Sequence, residues 1–480
     1  MNESILRPGH NCWKIKRAEH LALLIDGNRY YRAFFDVTSH ARECIEIAGW
    51  DLDPNLQLSK VSPGLPDNLR QYFDHLTKKN KRLQISIQVW KAFFYLKFGR
   101  ERFAKLKWKL LTSKQIKFIK EKTPYLFSTY HEKVVIVDNS CAFIGGMDLA
   151  GKRWDTSHHL YNNFLRTDHH GHEYFPVHDL QIVISGSVVK DLKRILHNRE
   201  DAQFDLKMKV SHKLWPDDFP SELDDVDVAI MRTDPKVGAC EIERFYEDAI
   251  RVAKDYIYIE NQYISCNSLT ELLCQRLREE NGPEVIFTIP YSYRGGFECA
   301  IYTKSRNRSI RMLKASDLHS RLSICYPKLA GNNKSKYMIV HSKLLIVDGR
   351  LMSIGSANLN NRSLRVDNEI NLGFEALSKE HKTAKFVSGC LSRLLSEHLD
   401  INELDFLNKL HTLGSVLNTI RHFQDSQEKT LEAMPYVELT VPQKVMTVLE
   451  EFVDIRFTIP RYYLYIIISI ILTSAFFIMR

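Results

Sequence analysis

The chain has 480 residues, 44% of them apolar, 26% charged and 11% aromatic, which excludes a disordered or fibrous protein and a disulfide-stapled mini-protein. Its 67 basic and 58 acidic residues leave a net charge of +9, a mild excess that permits an anionic partner such as a membrane surface without requiring one. Nine cysteines, odd in number and with no C-x-x-C pair, argue against a disulfide framework or zinc module and for a reducing compartment.

The opening segment, MNESILRPGHNCWKIKR, has no apolar core of the kind a secretory signal needs. From Leu21 an apolar strand leads into a helix and then a second strand, Ile45 to Ala48, followed by another over Leu83 to Val89. Between Arg100 and Lys122 nine basic residues face only Glu101 and Glu121, a pattern of either a solvated helical face or a surface for anionic headgroups. The segment YHEKVVIVDNSCAFIGG follows at 130–146. Asp168, His169, His170, His172 and His178 are metal-ligand types, but their spacing matches no zinc site, so a structural or surface role is expected. Lys213 to Asp227, rich in proline and acid, reads as a linker.

The second half repeats this plan. EIERFYEDAIRVAKDYIYIENQYI gives a helix and then a strand over Tyr256 to Ile259, with another strand over Glu284 to Ile289. VHSKLLIVDGRLMSIGS at 340–356 matches the earlier segment, its histidine 210 residues beyond the first. A sequon, Asn361-Arg362-Ser363, lies beside it, and a glycan there would crowd the site, which favours a cytosolic body. Past residue 378 the pattern turns helical and polar. From Tyr462 to Met479 eighteen residues carry no charge; as a helix they would cross roughly 27 Å, close to the hydrocarbon thickness of a bilayer.

These elements predict an α/β protein of two lobes related by a pseudo-twofold axis. The expected divisions are an N-terminal lobe over 1–212, a linker over 213–227, a C-terminal lobe over 228–378, a helical extension over 379–460 and a transmembrane anchor over 461–480.

Alternate residues of a strand share a face, so His131 projects with Lys133 and His341 with Lys343. Asp138 and Asp348 end the apolar runs, and Gly145-Gly146 and Gly355-Ser356 are small enough for backbone to approach a ligand. Asn358 adds an amide donor. Two imidazoles, two ammonium groups and an amide converging on one volume call for an anion, and a phosphodiester fits best. One imidazole can attack while the other protonates the leaving group, with the lysines and Asn358 stabilising phosphoryl charge. Neither a metal nor another cofactor is required.

The paired HxKx4D segments, each followed by glycine and a small residue, resemble the phospholipase D superfamily. GGMDLAGKRWDT at 145–156, PVHDL at 176–180 and IENQYI at 259–264 are similar to signatures of its eukaryotic-type branch. The likeness runs from about Ile25 to Glu375. Asp148 stands where many members have asparagine, and Val177 where a tryptophan is usual. The resemblance implies a duplicated fold and a phosphohistidine route. On it, His131 is expected as nucleophile and His341 as general acid, although the near-symmetric motifs accommodate the reverse. The catalytic set is His131, Lys133, Asp138, His341, Lys343 and Asp348, with a strand-end structural role equally open for the two aspartates. Asn358, Ser356 and Gly146 would bind substrate, and Glu369 or Asp155 would orient the histidines.

The function this implies is a phospholipase D-type phosphodiesterase that releases phosphatidate and headgroup from glycerophospholipids. Its partners would be the lipid and the membrane that holds the C-terminal helix, with the body on the cytosolic side and no nucleic acid. Competing readings are a transphosphatidylase of cardiolipin-synthase type, a related nuclease, and an inactive membrane scaffold. Oligomeric state is open.

Overall fold

The computed structural model describes residues 3–460 except 59, 62–63, 65, 92–107, 109–112, 198–211, 294–295, 331–335, 379, 425–428, 441–453 and 456–457. The uncharged stretch Tyr462–Met479 lies outside them, and no helix among the described residues is long and apolar enough to cross a membrane. Much of the basic segment 100–122 also lies outside; of the remainder, Ile116–Glu121 is a strand rather than a helical face.

In chain order the first half supplies β1 (Lys14–Ile25), β2 (Cys44–Gly49), β3 (Gln84–Trp90), β4 (Ile116–Glu121), β5 (Tyr125–Leu126), β6 (Val134–Val137), β7 (Cys141–Gly145), β8 (Val177–His178) and β9 (Leu180–Ser185). The second half supplies β10 (Leu223–Asp234), β11 (Ala239–Cys240), β12 (Tyr256–Asn261), β13 (Glu284–Thr288), β14 (Leu322–Leu329), β15 (Lys336–Tyr337), β16 (Ile339–Val340), β17 (Lys343–Val347), β18 (Leu351–Gly355), β19 (Glu369–Glu375) and β20 (Lys429–Ala433).

Strands β2, β3 and β4 pair in parallel, and β6 lies antiparallel to β2 and leads through β7 and β9 to β1. In the other half β12, β13 and β14 pair in parallel, and β17 lies antiparallel to β12 and leads through β18 and β19 to β10. Antiparallel pairing of β1 with β10 joins the two runs. Residues 223–227, which composition assigns to a linker, therefore open a central strand, and the buried residues Val226, Val228 and Ile230 alternate to one face there. Composition misreads them because the outward positions of β10 carry Asp224, Asp225 and Asp227.

Both motif strands are buried along their whole length, VVIV in β6 and KLLIV in β17, as expected where both faces of a sheet are covered. Helices Asp26–Ser39 and Leu69–Lys79 pack Tyr30, Phe34 and Phe73 on one face of the first half. Helices Glu241–Val252 and Asn267–Arg278 do the same for the second with Phe245, Ile250 and Leu273. A further apolar cluster draws on both halves, with Ile136 and Ile182 from one, Ile346 and Leu372 from the other, and Leu391 and Leu394 of helix Lys382–Leu399. That helix is followed by helices Glu403–Leu413 and Val416–Phe423 and by β20, which pairs with β14. All nine cysteines are unbridged.

Candidate active site

The two histidines lie just ahead of their strands, where chain from the opposite half pairs with them. The His131 N–H donates to the Asn368 carbonyl at 2.9 Å, and the His341 N–H donates to the His178 carbonyl at 2.8 Å. The next residue on each partner segment is an acid. His131 Nδ1 lies 3.0 Å from Glu369 Oε1, and His341 Nδ1 lies 2.7 Å from Asp179 Oδ2. Each imidazole is thus oriented by a carboxylate from the other half of the chain, which leaves Nε2 as the nitrogen for chemistry.

The lysines turn back on their own motifs. Lys133 Nζ donates to the His131 carbonyl at 2.8 Å, and Lys343 Nζ donates to that of His341. Lys343 opens β17, whereas Lys133 lies one residue before β6. Lys133 is also 3.6 Å from Asp148 Oδ2, and Lys343 reaches Gln262 Oε1 at 3.4 Å. Asp148, which stands in place of an amide donor, therefore holds the first lysine while its Oδ1 accepts the Trp50 N–H at 2.9 Å.

Burial sets the electrostatics. It holds His131 well below its ordinary 6.5, with the Lys133 and Lys343 ammonium groups adding to the effect, so His131 is neutral at neutral pH. Burial pushes Glu369 up to about 8 and Asp179 up to about 6. It also draws Lys343 down to about 7 against the opposing pull of Asp179. Deprotonation of Lys343 in the free protein removes a phosphate-binding charge, so kcat/KM should fall with rising pH above about 7. Bound phosphate restores the charge, so kcat should hold to higher pH. The acid limb should lie well below 6.5, where His131 gains its proton. A pH–rate profile of both constants checks these signs.

The structure redistributes several expected roles. Glu369 is where the sequence places it, and Ser356 donates to its Oε2 at 2.6 Å instead of presenting its hydroxyl to substrate. Gly146 serves close packing: a Cβ there would sit 2.1 Å from Asp179 Oδ1 and 3.1 Å from the His341 carbonyl. Asn358 is buried two residues beyond Ser356. Asp155 does not orient either motif histidine. It accepts from His159 at 3.0 Å, Arg166 at 3.2 Å and the Val177 N–H at 3.0 Å. The residue that orients His341 is Asp179, and its signal was the HD pair inside PVHDL. Trp50, edge-on to His131 with ring centroids 6.4 Å apart, carried no local signal.

Asp138 and Asp348 belong to the scaffold, not to the reacting groups. Both adopt positive φ at the hairpin turn, followed by Asn139 and Gly349 also at positive φ, a conformation that short polar residues tolerate. Asp138 accepts N–H groups of Arg42, Glu43 and Cys44 at 2.6–2.8 Å, and Asp348 those of Lys254, Asp255 and Tyr256 at 2.8 Å. Each carboxylate thereby fixes the start of the neighbouring strand. Asp348→Ala strands three donors and should cost about 2–5 kcal/mol of stability, seen in denaturant unfolding, with kcat of the folded fraction unchanged.

A second polar cluster lies beside the site. His159 and His178 sit with Asp26 and Glu397 at 2.9–3.2 Å, and His178 shares Glu260 with His398. These are metal-ligand types, yet each of the first two imidazoles already lies between carboxylates that raise it well above 6.5 against the cost of burial. The cluster therefore balances charge from its own side chains. His178 thus has a buried structural place, whereas His170 and His172 are exposed.

A family model described as "Cardiolipin synthase, PLD-like domain" matches residues 246–385. Phospholipase D A of Dictyostelium discoideum is 25% identical over 474 residues, which cover 82% of this chain and 36% of that protein. Phospholipase D2 of Bos taurus is 23% identical, with 71% and 47% covered. The chain spans less than half the length of these curated relatives. Among solved structures, phosphatidylserine synthase of Haemophilus influenzae is similar with a TM-score of 0.58 at 12% identity, covering 93% of this chain and 98% of that one, a likeness of fold.

Proposed function

We propose, from the chain's membership of the phospholipase D superfamily, that it is a phosphodiesterase that cleaves the terminal phosphodiester of glycerophospholipids through a phosphohistidine. The observation that carries this reading is the reciprocal pairing of His131 with Glu369 and His341 with Asp179, each across the two halves. The His131 Nε2 lone pair attacks phosphorus and forms the P–N bond. The P–O bond to the headgroup breaks, and the departing oxygen keeps its electron pair and takes a proton from His341 Nε2. Water then gives a proton to His341 and attacks phosphorus, and the P–N electrons return to His131. Lys133, Lys343 and Asn358 neutralise the phosphoryl oxygens.

A second reading keeps the intermediate and replaces water by an alcohol. The description of the matched family model, which names a cardiolipin synthase, favours it. Attachment to a membrane through 461–480, with the body on the cytosolic side, is part of the proposal and rests on the uncharged run Tyr462–Met479.

Full-length protein in detergent, given mixed phospholipid vesicles, a little ethanol and a chelator, tests the function. Phosphatidate together with phosphatidylethanol, both lost in His341→Ala, is the expected result. No turnover of any headgroup class would overturn it.

A further inference from the structure

Glu260 is fully buried on β12, and nothing in the reaction above uses it. Its two oxygens accept from Tyr258 Oη at 2.6 Å, Ser342 Oγ at 2.8 Å, His398 Nε2 at 3.0 Å and His178 Nε2 at 3.1 Å. Four partners use the full acceptor capacity of one carboxylate. Two of these partners flank His341 from opposite sides. Ser342 lies between His341 and Lys343 on the motif itself. His178 supplies the carbonyl that accepts the His341 N–H and directly precedes Asp179, which holds Nδ1. One side chain therefore ties the segment that carries His341 to the segment that carries its orienting carboxylate. His178 is also held on its other side, 3.1 Å from Asp26 Oδ1 and 2.9 Å from Glu397 Oε1.

The first half is tied differently: Asp367, two residues before Glu369, accepts the Thr129 N–H at 2.7 Å, two residues before His131. Glu260 pairs with Leu344 in the β12–β17 ladder, and Ala48 pairs with Val134 in the β2–β6 ladder. Leu344 and Val134 each follow the motif lysine, so Ala48 occupies the place of Glu260, and Glu132 replaces Ser342. A methyl group at that ladder position cannot make the four bonds that Glu260 makes. The two histidines have matching backbone pairing but different side-chain support, Glu260 for His341 and Asp367 for His131.

We propose that Glu260 is the positioning residue that fixes His341, and not His131, as the histidine that protonates the departing alcohol. This rests on the phosphodiesterase reading above. General acid catalysis needs the donor held along the path of the leaving oxygen, and the bonds of Glu260 bear on that donor, whereas the in-line approach of the nucleophile rests on Glu369. A leaving group that departs without a proton should be indifferent to Glu260.

The test compares Glu260→Gln with wild type on phosphatidylcholine and on phosphatidyl-p-nitrophenol. With the choline lipid, kcat should fall about 100-fold with KM little changed. The p-nitrophenolate burst, which reports attack by His131, should stay within about threefold. Ser342→Ala, which removes one of the four bonds, should show a smaller loss of the same selectivity and guards against a folding defect in the first variant. Equal losses on both substrates, or no loss on either, would overturn the proposal. A readout free of turnover is the low-field Nδ1 proton resonance of His341, expected to shift or broaden in Glu260→Gln while that of His131 stays. If wild type releases neither alcohol nor p-nitrophenolate, the phosphodiesterase reading fails, and an unchanged His341 resonance separately overturns the positioning role.

Discussion

His131→Asn is expected to reduce kcat by at least ~10⁴-fold, because on the proposed route its neutral imidazole is the group that attacks phosphorus. The assignment of nucleophile comes from the family resemblance, and the neutral state of His131 supports it. Burial, with Lys133 and Lys343 nearby, holds His131 well below 6.5, so its Nε2 lone pair is available across the neutral range. His341→Asn tests the same point from the other side. Given phosphatidyl-p-nitrophenol, that variant should still form the P–N bond but lack the base that activates water, so the phosphatidyl group accumulates. Mass spectrometry of the digested protein should find it on His131. The same adduct on His341 in the His131→Asn variant would reverse the roles.

Asp179→Asn is expected to lower kcat by about 10³–10⁴-fold with KM within about threefold, an effect of the size seen when an amide replaces the acid behind a catalytic imidazole. The amide cannot stabilise the imidazolium, and its NH₂ donates to Nδ1, which favours the tautomer with its only proton on Nε2 and leaves no lone pair there to take a proton from water. Glu369→Gln should cost less, about 10–100-fold. Burial pushes Glu369 up to about 8, so the native side chain is already largely neutral at pH 7 and an amide resembles it. Single-turnover rates for the two variants measure the difference; equal losses would mean that both acids act as charged partners.

Features visible in the sequence rest on local periodicity. The apolar runs after each HxK are strands because VVIV and LLIV carry β-branched and aliphatic side chains over four residues, and both proved buried throughout. The strands expected at Ile45–Ala48 and Tyr256–Ile259 lie within β2 and β12 for the same reason. Glu369 was legible through the family resemblance, which implies carboxylates that orient the histidines, although nothing local showed that it would serve the first histidine. Asp138 and Asp348 looked chemical because the motif contains them, yet a strand-end acid also answers the unpaired N–H groups of the next strand. Local spacing does not separate those roles.

Present in the sequence by itself were the two HxK pairs proposed to carry the reaction and the α/β character of the chain that holds them. Tertiary structure alone decided which acid faces which histidine, since Asp179 lies 162 residues from His341 and Glu369 lies 238 from His131. It also turned Asp155 toward His159 and Arg166, made residues 223–227 part of a central strand, and gave Glu260 to His341 while leaving Ala48 in the matching place. The physical reason is the same in each case. Side-chain alternation along a strand is fixed by the backbone within a few residues, but the partner across the site is fixed by strand order and register, which only the burial of the whole sheet selects.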